Sequence, residues 1–293
     1  MYWQTSRFRI DLATPKVMGI VNVTPDSFSD AGQFKSTPAV LAHCEALVKA
    51  GADILDIGGE SSRPGAIPLS LSDELARVLP VLQGAVKLGV PISVDTYKPE
   101  VMQAALDLGA DIINDIRALL GQGDTAVAKT ALQVVSQHPK CGVCLMHMHR
   151  DPQTMQVQPM LGDVIPQVLQ FWERITERLE SFNIDRSRIV LDPGIGFGKT
   201  VEQNFALLAR QPELLAAGYP LLLGWSRKSS LAQATSSSLA TIATMDVRDR
   251  LVPSVTAAIL AVQRGACIVR VHDVRETVQA LAVLARAGHP VSP

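Results

Sequence analysis

Eight short Val/Ile/Leu-rich runs punctuate this chain, and a longer stretch with helical periodicity follows nearly every one of them. The runs are VMGIVNV, DILDIG, PISVD, DIINDI, GVCLMHM, RIVLD, PLLLGWS and CIVRVHD. Apolar runs without in-and-out alternation are strands covered on both faces, and parallel strands need a crossover of a dozen residues or more between them. Segments such as TPAVLAHCEALVKAGAD, SLSDELARVLPVLQGAVKLG and VRETVQALAVLARAG fill those gaps. Several close on Gly, which accepts the left-handed conformation past a helix end. Eight such units in 293 residues predict an α/β protein built as a single (β/α)8 TIM barrel, one domain over residues 1–293. An open doubly wound sheet is the alternative. It would usually bind a dinucleotide through a Gly-rich turn after the first strand, and no G-x-G-x-x-G follows VMGIVNV. In the later GIGFGKT the glycines are two apart, so the spacing of a phosphate loop is not met. The stretch from Ser226 to Arg248 reads as an elaborated loop or an extra helix.

Composition narrows the function classes. With 47% hydrophobic and 19% charged residues the chain can fill a large core, which excludes disorder. Lys and Arg number 27 against 28 Asp and Glu, so no overall basic field draws in nucleic acid or an anionic membrane; an anionic ligand has to be held by local charges. The N-terminal MYWQTSRFRID lacks a signal-peptide core, and no segment approaches about 18 uninterrupted apolar residues. A cytoplasmic protein with small-molecule rather than nucleic-acid or membrane partners is expected. Four cysteines are too few for a disulfide scaffold and read as small buried hydrophobes.

Polarity sits where the apolar runs end. Asn22, Asp56, Asp95, Asn114, His147, Asp192, Lys228, Arg270 and His272 all stand at or just past the C-terminal side of a strand candidate. Singly, an Asp or Asn there caps a helix or starts a turn. Together they surround the one mouth of a barrel at which active sites are built. Cys141, Cys144, His147 and His149 have the types of a zinc set, but an extended strand turns Cys144 to the opposite face from the other three.

The strings MGIVNVTPDSFSD, DIGGESSRPGA, SVDTYKPE, INDI, LMHM, LDPGIGFGKT, GWSRKSS and VRVHDV together closely resemble the dihydropteroate synthases, in register over essentially the whole chain. The resemblance implies a (β/α)8 barrel that joins 4-aminobenzoate to 6-hydroxymethyl-7,8-dihydropterin diphosphate with release of pyrophosphate. It implies that Asp95, Asn114 and Asp192 take the pterin edge, that Lys228 reaches the ring and that Met146 packs on its face. A carboxylate suits that edge because adjacent N–H donors call for a bidentate acceptor. Asn22, Arg270 and His272 would surround the diphosphate, with Mg2+ bridging its oxygens and Asn22. Asp30 would lie near the reacting methylene, and Phe28, Ser62, Arg63 and Pro64 would shape the aminobenzoate pocket. Ser229, opening a helix, would meet the aminobenzoate carboxylate. Asp30, Arg63, Lys228, Arg270 and His272 are thus the expected catalytic group, and a homodimer is the expected assembly. Ser62 stands where the family usually has Thr, which keeps the hydroxyl and drops a methyl contact. The loops at 24–36 and 59–69, rich in Gly, Pro and Ser, are expected to be weakly anchored by packing. A corrinoid-methyltransferase-like pterin barrel is the alternative, and it would have no need of Arg63, Arg270 and His272. A barrel that binds without catalysing is a further one.

Overall fold

A computed structural model of the chain describes residues 1–23, 36–63, 65–120, 130–235 and 246–288. The eight apolar runs become eight parallel strands: β3 (Lys16–Asn22), β4 (Ile54–Gly58), β5 (Ile92–Asp95), β6 (Ile112–Asp115), β7 (Gly142–Met146), β8 (Ile189–Asp192), β9 (Leu221–Leu223) and β10 (Ala266–Val271). They close into a barrel in sequence order, β10 completing the circle beside β3. The fold is the expected (β/α)8 barrel. Helices Thr37–Lys49 (α1), Leu71–Ala85 (α2), Pro99–Asp107 (α3), Ala131–Gln137 (α4), Val164–Ser181 (α5), Val201–Ala209 (α6), Gln211–Leu214 (α7), Ser229–Thr235 (α8), Leu251–Gln263 (α9) and Val274–Arg286 (α10) lie along it. Two sequence-level signals set where helices begin. Thr200 and Thr130 each close a capping box with the Gln three residues on, which satisfies the first free N–H groups of α6 and α4.

Side-chain alternation along each strand sorts the residues into two environments. Val17, Val21, Leu55, Ile57, Val94, Ile113, Val143, Leu145, Leu191 and Val269 face out and pack with the helices in one continuous core. Met18, Ile54, Ile112, Cys144, Val190, Leu222 and Ile268 face in and fill the lower barrel. By the same parity the next inward positions up are Asp56, Asp95, Asn114, Asp192 and Arg270. An apolar floor therefore lies under a polar tier.

The lower end is closed by an antiparallel hairpin absent from the sequence reading, β1 (Tyr2–Gln4) paired with β2 (Arg9–Asp11). Trp3, Ile10 and Leu12 pack onto the inward floor. Trp3 is fully buried, and its indole N–H donates to the Arg188 carbonyl at 2.9 Å. The hairpin thus covers the end opposite the polar tier. The four cysteines are free and buried, as expected.

Candidate active site

The polar tier is held by an ion-pair network that crosses the mouth. Arg270 Nε donates to Asp56 Oδ2 at 2.6 Å and Arg270 Nη2 donates to Asp95 Oδ2 at 2.7 Å. Asn114 Nδ2 donates to the same Asp56 oxygen at 3.1 Å. Asp56 is fully buried, and its Oδ1 has no partner among the described residues. A buried carboxylate oxygen left unpaired costs free energy unless a ligand donor reaches it. Burial raises the Asp95 carboxyl above the usual carboxylate range; the Arg270 charge opposes that shift and the Asp56 charge adds to it.

Asp192, at the end of β8, accepts the Gly194 N–H at 2.7 Å through Oδ1, and burial raises its carboxyl too, against the pull of that hydrogen bond and of Lys228. Lys228 extends over the Phe197 ring, its Nζ 4.3 Å from the centroid. Burial pushes the Lys228 ammonium down to about 8, with Asp192 opposing. No ion pair joins Lys228 to Asp192 among the described residues, so Lys228 is not spent on a structural bridge to it. Met146, Ile116, Met155 and Phe197 form a small apolar cluster at the mouth, with Tyr97 and Met148 packed against it. A Cβ at Gly224, just past β9, would meet none of the described residues within 4 Å. The result is a slot with apolar walls and convergent carboxylates, amide and cations, the form of a site for a flat, polar-edged ring.

The LDPGIGFGKT segment shapes the slot from within. A Cβ at Gly194 would lie 1.9 Å from the His147 carbonyl oxygen, and the backbone there has φ +69°, so only glycine fits. Lys199 is not a phosphate-loop lysine: it is buried, its Nζ 2.9 Å from His147 Nδ1 and donating to the carbonyls of Gly194, Phe197 and His147. Burial lowers the Lys199 ammonium to about 7 and holds the His147 ring neutral. Lys199 thereby ties the Gly194 and Phe197 carbonyls together beside the slot, and His147 contacts it through Nδ1. Cys141 and Cys144 belong to the core, where burial pushes both thiols up.

Toward the rim, His272 follows β10 with its Nδ1 2.9 Å from Ser226 Oγ. Burial, with the nearby Arg227, Arg270, Arg63 and Lys228 charges, lowers its pKa to about 3. At neutral pH the ring is thus a neutral hydrogen-bonding group. Arg227, one residue before Lys228, is paired to Asp273 at 2.6 Å in a left-handed backbone, φ 60°. Asn22 is half-buried at the end of β3, Ser62 half-buried and Arg63 exposed on the loop after β4. Ser229 is exposed and opens α8, described over seven residues. The Ser229 hydroxyl thereby stands at a helix N-terminus, as the sequence predicts. Phe28, Asp30 and Pro64 lie outside the described residues.

Comparison with known proteins gives this constellation its context. A family model described as pterin binding enzyme matches residues 18–272. The dihydropteroate synthase of Neisseria meningitidis serogroup B is 46% identical over 291 residues, 98% of this chain and 97% of that protein. The chain belongs to the dihydropteroate synthase family. A solved structure of the Xanthomonas albilineans dihydropteroate synthase with 4-aminobenzoic acid is 44% identical, covers 95% of each chain and superposes with a TM-score of 0.84. That of the Burkholderia cenocepacia dihydropteroate synthase with 7,8-dihydropteroate is 42% identical, covers 98% of this chain and 96% of that one, and gives 0.83. Of the residues that the resemblance singles out, the fold brings Asp95, Asn114, Met146, Asp192, Lys228 and Arg270 into one slot. The unassigned member is Asp56, which stood among the strand-end residues of the sequence but whose pairing with Arg270 only the closed barrel creates.

Proposed function

We propose that this chain condenses 6-hydroxymethyl-7,8-dihydropterin diphosphate with 4-aminobenzoate to give 7,8-dihydropteroate and pyrophosphate. The observation that carries the reading is the inward tier of Asp56, Asp95, Asn114 and Asp192, crossed by Arg270 and Lys228 above an apolar floor. It sits in a chain nearly half identical to a dihydropteroate synthase over almost its full length. The pterin edge is assigned to Asp95, Asn114 and Asp192, its faces to Met146 and the Lys228 side chain.

The substrate supplies the chemistry. The bond from the exocyclic methylene to the diphosphate oxygen breaks, its electron pair leaving with pyrophosphate, while the electron-rich ring spreads the positive charge. The amine lone pair of 4-aminobenzoate then forms the C–N bond, and one N–H proton is lost. No protein nucleophile is needed. The protein positions, stabilises charge and excludes water. Buried carboxylates facing the ring favour its cation, and Arg63 and Arg270, with His272 as a neutral donor, face the departing anion. Asp30, Phe28 and Pro64 keep the roles that the resemblance gives them, as do Ser62 and Ser229 for the aminobenzoate.

Mg2+ belongs to the same reading. Asn22 offers a hard amide oxygen at the rim, and an ion that keeps its waters and phosphate oxygens needs only one or two protein ligands. When bound it would neutralise charge on the diphosphate. A homodimer and a cytoplasmic location complete the proposal; among the described residues no helix is long and apolar enough to cross a membrane. Pyrophosphate release scored with both substrates present, and with each omitted, is the test. Release that requires both supports the assignment, and release that ignores 4-aminobenzoate overturns it.

A further inference from the structure

The loop after β4, which carries Ser61, Ser62 and Arg63, has no sheet partner among the described residues, yet polar tethers hold it on both sides. At its root Glu60 is gripped on both carboxylate oxygens: the Tyr97 hydroxyl donates to Oε1 at 2.9 Å, and the Lys98 ammonium pairs with Oε2. Lys98 also pairs with Glu74 on α2 at 2.5 Å, and Glu74 is 1% exposed. Arg77, a turn further along α2, donates to the Gly59 carbonyl at 3.0 Å. Near its tip the Gly65 N–H donates to the Pro152 carbonyl at 3.1 Å, and the neighbouring Asp151 is paired with Arg117 at 3.0 Å. Tyr97 joins the two ends: its ring lies against Arg117, 4.5 Å from the centroid, and against Lys98, 4.7 Å away.

We propose that Tyr97 and Lys98, supported by Arg117, are positioning residues that set the placement of Ser62 and Arg63, and through it the affinity for the second substrate more than for the first, whose diphosphate keeps Arg270 and His272, neither of them held by these tethers. The inference rests on the reaction proposed above. The separation between substrates follows from what holds each group. Asp95 and Asn114 are fixed by strand register and by the Arg270 and Asp56 network, which do not pass through Tyr97. Ser62 and Arg63 stand beyond the end of β4, where the tethers through Glu60 and Pro152 take the place of strand pairing. Loosening them should shift the loop and leave the pterin-facing tier in place. The sequence predicted weak anchoring by packing for this loop; its tethers among the described residues are hydrogen bonds and an ion pair.

Steady-state KM values for each substrate, with the other saturating, test this together with thermal midpoints. Tyr97→Phe keeps the ring and its cation contacts and removes only the hydroxyl. It should raise the KM for 4-aminobenzoate about fivefold, the worth of one hydrogen bond, with the KM for the pterin diphosphate held within about twofold. Lys98→Met should raise the 4-aminobenzoate KM further, and Lys98→Arg, which keeps the charge on Glu60 and Glu74, should restore it. A Tyr97→Phe enzyme with both KM values unchanged, or both raised equally, overturns the proposal, whether or not Lys98→Met folds. Absence of two-substrate turnover in the unaltered enzyme would instead overturn the reaction itself.

Discussion

Arg270 Nε lies 2.6 Å from Asp56 Oδ2, a contact between residues 214 apart in sequence that spans the mouth from β10 to β4. Its second arm ends on Asp95 on β5, so one guanidinium ties three strands of the barrel. Because both carboxylates are buried or nearly so, their mutual repulsion is tolerated only through that cation. The same arrangement leaves Asp56 Oδ1 unpaired beneath the slot, poised to accept from a ligand.

Arg270→Met should destabilise the fold by about 3–5 kcal/mol at neutral pH, since it leaves buried carboxylates without their partner. The sign of the pH dependence follows from Asp95. Its carboxyl is already raised by burial, and Arg270 is what pulls it down. Removing Arg270 raises it further. A carboxyl whose folded-state pKa lies above the unfolded value stabilises the fold at low pH, and that stability is lost as pH rises through the folded pKa. The deficit of Arg270→Met relative to the unaltered protein should therefore be smaller at about pH 5 than at about pH 8 in urea denaturation. An equal deficit at both would mean that Asp95 does not depend on Arg270.

Asp192→Asn should weaken pterin binding by about 1–3 kcal/mol, because an NH2 group replaces an oxygen turned toward ring donors. Gly194 N–H, which Asp192 Oδ1 now accepts, can still be satisfied by the amide oxygen, so the turn at β8 should survive. Calorimetric titration of the pterin without 4-aminobenzoate measures the loss directly. Unchanged affinity would remove Asp192 from the slot.

His272→Ala should reduce affinity for the pterin diphosphate more than for the same pterin lacking its diphosphate. Because burial and four nearby cations hold the ring neutral, the lost contact is a neutral hydrogen bond, and the expected penalty is about 1 kcal/mol rather than the larger one of a charged pair. Equal losses for the two ligands would assign His272 to the support of Ser226 alone.

The strands were legible because a strand covered on both faces is apolar at every position, and GVCLMHM or RIVLD can be read without knowing any partner. The hairpin was not. Tyr2–Gln4 and Arg9–Asp11 are three residues each, with one buried apolar side chain apiece, and nothing local says that Trp3 plugs a barrel. The seven-residue α4 has too few turns to show a helical period. In the site, Asp95, Asn114 and Asp192 were visible as polar ends of apolar runs. Their partners were not, because Asp56 meets Arg270, and Glu60 meets Tyr97 and Lys98, only once the barrel closes. Lys199 shows the limit most plainly: its string fails the spacing of a phosphate loop and suggests no other role, whereas the fold turns it inward onto backbone carbonyls.

Lys228→Met should abolish turnover while stabilising the empty enzyme. Burial lowers the Lys228 ammonium from an ordinary 10.5 to about 8, so the folded state binds its proton less tightly than the unfolded chain does. A lysine shifted in that direction penalises the fold below the folded pKa, and the penalty shrinks as pH rises from about 8 and is gone above about 10.5. Met keeps the apolar stem over the Phe197 ring without the charge. Since solvent reaches the half-buried ammonium, the gain at neutral pH is discounted to about 1–2 kcal/mol, or a few degrees in Tm. The two readouts move in opposite directions because a desolvated cation held for a ligand is a cost in the ligand's absence. Thermal melts of both proteins at about pH 7 and about pH 10.5 check the sign: the advantage of Lys228→Met should be present at the first and absent at the second. A variant no more stable than the unaltered enzyme at neutral pH would mean that Asp192 and the slot compensate the charge fully, and the ammonium would not be held at an energetic cost.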